Sequence, residues 1–441
     1  MSIISAYVMP HPPLAVPEVG GGKEEVIAET IQAMDEIGAE IARLKPETII
    51  FITPHGNVFR DYFHISQGEK AEGNFARFGV MGANYTAEYD TELTSEISRV
   101  AKVANFPAGT EGEADPSLDH GVIVPMHYIN RHFCDYKTVR VSLSGLDSAA
   151  HFKMGELLAE AIGNIERRVV VIASGDLSHK LSESGPYGYA PEGVVFDRDI
   201  MKFLGEGDFD SIKTMDSGLR EKAAECGYGS FVMLAGCFAK YDNISAKQLS
   251  YECPFGVGYG VVSFAIEDSF RALARRSLEY RVKTGKDFST PPSSTEAAKL
   301  PPQMFLQKAG AFVSLHMNGQ LRGCIGTIAP TTNSIAEEII QNAVSAGLYD
   351  SRFPPVDKSE LPHLVYKVDI LDEPEDIPST ESLNVKQYGV IVTSGFKRGL
   401  LLPNLDGVDS VEMQVAIACQ KAGISLNESF ALQRFKVTRY E

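Results

Sequence analysis

Through its first 266 residues the chain alternates short, apolar, β-rich runs with longer stretches of helical spacing. That alternation restricts the fold more than any other feature. Ile3–Met9, Thr48–Thr53, Thr138–Leu143, Arg168–Ala173 and Gly258–Ile266 read as strands. Between them, 23–44 sets Val26, Ile27, Ile31, Met34, Ile37 and Ile41 at helical spacing, and Met154–Ile165 reads as a second helix. Strands that alternate with helices form a mostly parallel sheet whose crossover helices cover its faces. The fold expected here is α/β, a central sheet flanked by helices.

The pattern loosens afterwards. Ser269–Thr284 is helical, and Thr284–Gln303 is rich in Pro, Ser and Thr, so composition alone places a domain boundary in that stretch. Ala311–His316, Leu364–Leu371 and Val390–Thr393 then read as strands, and Ile335–Ala346 and Val411–Ala422 as helices. This less regular mixture predicts an α+β domain. A chain of 441 residues, 44% hydrophobic, has enough apolar material for two such cores.

Composition also removes several classes of partner. The formal charge is −17, whereas nucleic acid and anionic membrane both call for a basic face. No apolar run approaches the length of a membrane span. The opening residues 1–8 lack the basic start and long apolar stretch of a signal peptide. Six scattered cysteines with no CxxC spacing read as reduced thiols of a cytoplasmic protein.

Eight of the ten histidines fall before residue 180. Three of them follow strands: His11 in Met9-Pro10-His11-Pro12-Pro13, His55 in Thr53-Pro54-His55-Gly56, and His179 in Ser174-Gly175-Asp176-Leu177-Ser178-His179. In an open α/β sheet, ligands bind at the carboxyl ends of the strands. Pro and Gly around each ring fix the loop that carries it. A carboxylate would complete a metal site, and Glu252 precedes the last strand of this part, with Cys253 beside it as the alternative donor. Two imidazoles and a carboxylate form the facial triad of non-haem Fe(II) oxygenases, with open positions for substrate and dioxygen. The same donors can hold zinc, the second choice here because the HExxH helix is absent. Asp176, three residues before His179, could orient that ring or cap the turn that follows.

These segments, together with Leu118-Asp119-His120-Gly121-Val122, resemble the class III extradiol dioxygenases (the protocatechuate 4,5-dioxygenase β-subunit type) and the related Memo proteins, over about residues 1–266. The resemblance implies Fe(II) on His11, His55 and Glu252, His179 as acid–base and His120 lining the pocket. It implies ring cleavage of a catecholic aromatic substrate by O2. Memo-like relatives share the fold and carry a cysteine near the late ligand position, which keeps Cys253 in play.

Gly319-Gln320-Leu321-Arg322-Gly323-Cys324-Ile325-Gly326, with Asp350-Ser351-Arg352-Phe353-Pro354-Pro355, Tyr388-Gly389-Val390 and Lys421-Ala422-Gly423-Ile424, looks like the AMMECR family. Members of that family begin with a helix such as 271–285. The boundary therefore moves back, to domains 1–266 and 267–441, and the Pro-Ser stretch becomes a loop of the second. Arg322 beside Cys324 could lower the thiol pKa and make it a nucleophile or redox thiol. The alternative is a buried cysteine in a tight turn whose glycines serve backbone geometry. The fusion implies halves that act on a common substrate, with a radical-SAM protein as partner, and members of the α/β family associate as homo-oligomers. The competing expectation is a metal-binding component of such a modification system that cleaves no ring.

Overall fold

Thr48–Thr53 and Val169–Ser174 are buried along their whole length, as strands must be when helices cover both faces of a parallel sheet. The computed structural model describes residues 3–241, 243–289, 300–405 and 407–440. It divides into two units, Met1–Ile266 and Glu267–Glu441. The Pro-Ser segment at 290–294 lies outside the described residues.

The sheet of the first unit has the order Lys137–Ser142, Thr48–Thr53, Val169–Ser174, Ile3–Met9, Tyr259–Ile266, Ile244–Glu252. The first four run parallel, and the last two form an antiparallel extension on Ile3–Met9. Side chains of a strand alternate between faces, and the core follows that parity. Ile50, Ile52, Val169 and Val171 pack into one apolar cluster, with Ile97, Leu157, Phe196 and Phe231 of the covering helices. Ile49, Phe51, Val170 and Ile172 pack into the other, with Met34, Ile37, Val122 and Ile123.

The helix expected over 23–44 begins as a short 3-10 segment, Lys23–Ile27, and becomes α-helical at Ala28–Leu44. Two helices near the site have no clear period in the sequence. Tyr228–Cys237 is apolar and buried on almost every side, so it lacks the polar stripe that reveals a surface helix. His120–Asn130 carries Pro125 in its interior.

The second unit contains two four-stranded antiparallel sheets. One has the order Gln320–Gly326, Ala311–Met317, Val365–Leu371, Val437–Tyr440, and the other Glu375–Ile377, Ala431–Phe435, Gly389–Ser394, Lys397–Leu401. Helices Ser269–Thr284 and Ile335–Leu348 share the first core, and Val411–Ala422 packs on the second. Among the described residues no helix is long and apolar enough to cross a membrane.

Candidate metal centre

His11 leaves the sheet where Ile3–Met9 ends, and two side chains fix it. Its backbone N–H donates to Asp176 Oδ1 at 2.9 Å, and its Nδ1 is 2.9 Å from Ser174 Oγ. Nε2 is left facing His55 Nε2 at 3.0 Å and Cys226 Sγ at 3.5 Å. A hydrogen bond on one imidazole nitrogen orients the other toward a metal and selects its tautomer. His55 is placed by Thr53, whose Oγ1 accepts the His55 N–H and donates to Asp119 Oδ1 at 2.6 Å. The ring donors of His11 and His55 and the Cys226 thiol all lie within 4.8 Å of one another, as do the donors of Asp176, His179 and Cys226.

Burial and the neighbouring imidazoles of His55, His120 and His179 hold His11 well below the usual histidine range. Burial does the same to His55. Both are therefore neutral at pH 7, the form that binds metal. His120 stacks on His55, with ring centroids 4.2 Å apart. Burial, with help from His55 and Arg77, pulls it down to about 4. His179 stacks on Tyr187, and its buried Nε2 has no hydrogen-bond partner among the described residues. Burial, with a smaller contribution from His55, lowers it too. Asp176 is pushed up to about 7 by burial, despite the His11 N–H that it accepts. A cleft of about 560 Å³ opens beside this cluster, lined by His55, Arg77, Phe78, Asp119 and His120 among others.

Two sequence assignments change. Glu252 is not part of the cluster: its Oε2 accepts from both the backbone N–H and the hydroxyl of Thr30, each at 2.6 Å. It thereby satisfies one of the free N–H groups where helix Ala28–Leu44 begins. The strand that ends in Glu252 is the outermost of the sheet, with Tyr259–Ile266 between it and Ile3–Met9. Cys253, its exposed neighbour, is in neither donor group. The third donor is Cys226, in Glu225-Cys226-Gly227-Tyr228-Gly229, which sequence reasoning passed over as one scattered thiol. The two glycines just before an apolar run were the available sign of a tightly packed loop.

That packing is specific. A Cβ on Gly175 would lie 2.1 Å from the Cα of Gly227, so the Ser174–Asp176 turn and the Cys226 loop touch backbone to backbone. Asp176 N–H then donates to Cys226 Sγ at 3.3 Å. Gly175→Ala must push the loops apart, at a cost of about 1–3 kcal/mol. It is expected to lower both the melting temperature and the metal content of purified protein. A variant that melts lower with metal content unchanged would show that the contact does not place Cys226.

In the second unit, the Arg322 guanidinium is spent on Glu360 and not on the Cys324 thiol. The register between Ala311–Met317 and Gln320–Gly326 shifts at this point, pairing Leu315 with Gly323 and His316 with Leu321, and Arg322 is the residue left over. A bulge of this kind breaks the side-chain alternation that would put Arg322 and Cys324 on one face. The guanidinium binds Glu360 through two hydrogen bonds, at 2.7 and 2.9 Å. Cys324 Sγ instead receives a hydrogen bond from Ser314 Oγ at 3.2 Å.

The family model described as the catalytic LigB subunit of aromatic ring-opening dioxygenase matches residues 5–262, and the AMMECR1 model matches 271–441. A Clostridium acetobutylicum protein is 38% identical over 473 aligned positions, covering 100% of both chains. A Thermotoga maritima protein is 46% identical over 177 residues, 40% of this chain and 98% of its own. A Pyrococcus horikoshii protein of known crystal structure is 32% identical, over 38% of this chain and 88% of that one, with a TM-score of 0.35.

Proposed function

The chain belongs to the family of catalytic LigB subunits of aromatic ring-opening dioxygenases and carries an AMMECR1 domain after it, and we propose that its first unit is a metal-dependent oxidoreductase acting on a small hydroxylated substrate. One observation carries this reading: the convergence of His11 Nε2, His55 Nε2 and Cys226 Sγ. Two neutral imidazoles and a thiol suit a first-row transition metal of borderline softness, Fe(II) among them, and three protein donors leave positions for substrate. When bound, the metal supplies Lewis acidity and a path for electrons between substrate and dioxygen.

The chain's own residues do the rest. The open cleft admits substrate on the His55–His120 side. His179, neutral at pH 7 and with no partner on Nε2 among the described residues, is suited to take a proton from a substrate hydroxyl and return it later. His120, neutral down to about pH 4, lines the cleft as a hydrogen-bonding group that carries no competing charge. Asp176 holds the His11 backbone and so keeps the first donor in place.

A second reading is favoured by the thiol itself. A cysteine where the ring-cleaving triad has a carboxylate fits a metal-holding component that does not open rings. Metal analysis of anaerobically purified protein, followed by oxygen uptake with a panel of catechols, separates the two. Uptake from Fe(II)-loaded protein is expected. Its absence from a fully loaded sample would sink the dioxygenase reading and leave the second. His179→Gln is expected to retain the metal and lose about 10²–10⁴-fold in turnover; loss of metal instead would make His179 a ligand.

A further inference from the structure

The sheet built on Ala311–Met317 has one face that its strand pattern leaves unexplained. Ala311, Val313, Leu315, Val368 and Ile370 fill the core of the second unit. The opposite face carries Phe312, Ser314, His316, Lys367 and Asp369, and Cys324 stands across from Ser314, which in turn stands across from Lys367. This face is not left to bulk water. Lys397–Leu401 of the second sheet, the chain just after it and helix Val411–Ala422 rise beside it and enclose a cleft of about 700 Å³. Sheet faces that cover one another are ordinarily apolar on both sides, so polar residues in such a position call for a ligand.

The two walls differ. Phe312, Ile328, Leu400 and Leu402 supply an apolar side. Against them stand four cations, Lys367, Arg398, Lys421 and Arg439. Among the described residues the lining holds a single carboxylate, Asp369, and Arg439 is already bound to it at 2.7 Å. Arg398 donates to the neutral amide of Gln433, so nothing in that contact cancels its charge. Arg398 and Lys421 thus bring positive charge that no carboxylate of the described lining offsets, and in a chain of net charge −17 that is the electrostatic signature of an anion site. The volume is that of a small-molecule pocket. We propose that this cleft of the second unit binds a phosphorylated small molecule of nucleotide size, its phosphates on Arg398 and Lys421 and its apolar body against Phe312 and Leu400. The Cys324 thiol lies in the wall of that site. The proposal is independent of the metal centre in the first unit.

Calorimetric titration of the full chain with adenosine diphosphate, inorganic pyrophosphate and adenosine tests it. The diphosphate is expected to bind, pyrophosphate to bind more weakly, and adenosine to be weaker than the diphosphate by about tenfold or more. Arg398→Gln combined with Lys421→Gln changes two side chains outside the core, and is expected to weaken diphosphate binding by about tenfold or more while the melting temperature holds. No heat from either phosphate compound at millimolar concentration would overturn the proposal. So would adenosine binding as tightly as the diphosphate, or diphosphate binding that survives the double substitution.

Discussion

Cys226→Ala is expected to cost the first unit about a hundredfold or more in metal affinity, measured by competition with a chelator. Glu252→Gln is expected to leave that affinity unchanged. The contrast rests on where the two side chains are spent. Cys226 Sγ sits 3.5 Å from His11 Nε2, and truncation removes the sulfur from the donor group it forms with the two imidazoles. Glu252 is committed to Thr30 through two hydrogen bonds at a helix start, where negative charge is favoured. Its amide variant keeps an acceptor but loses the charge, so it should lower stability by about 1 kcal/mol without touching metal. Sulfur-to-metal charge-transfer absorption in a Co(II)-substituted sample gives a second readout: present in the parent and in Glu252→Gln, absent in Cys226→Ala. Retention of metal by Cys226→Ala together with its loss in Glu252→Gln would restore the carboxylate as third ligand.

The reasons for that reassignment show how far sequence reasoning reaches. Strand identity was legible where burial is two-sided, because Thr48–Thr53 and Val169–Ser174 are continuous runs of strand-forming residues. The strand-end positions of His11, His55 and His179 were legible for the same reason, since each follows such a run. Cys226 was not. Its nearness to His11 depends on two loops distant in sequence meeting at Gly175 and Gly227, and on a helix start whose apolar surroundings give no period. Glu252 misleads because a carboxylate before a strand looks the same in sequence whether that strand is central or outermost. The competing claim of Thr30 comes from the opposite end of the chain. Arg322 misleads through a bulge, which no two-residue spacing reveals.

Metal affinity should also rise with pH, and by different amounts on the two sides of neutrality. Burial pushes the Cys226 thiol well above its ordinary value, with Asp176 adding to the effect. In the metal-free site at pH 7 it therefore carries its proton, while His11 and His55, pushed down, carry none. Metal binds the thiolate, so uptake expels one proton, and affinity climbs about tenfold per pH unit across the neutral range. Asp176, pushed up to about 7, adds a second proton below neutrality, because a bound cation favours its ionised form. The sign is the same for both groups: each proton competes with the cation. Calorimetry in buffers of different ionisation enthalpy should therefore count close to two protons released at about pH 6 and one at about pH 8. Asp176→Asn should reduce the first figure to about one and leave the second unchanged. Cys226→Ala should remove the remaining proton along with most of the affinity. An affinity that stays flat above about pH 8, where Asp176 is already ionised, would mean that the thiol is not a ligand, whatever metal the protein carries.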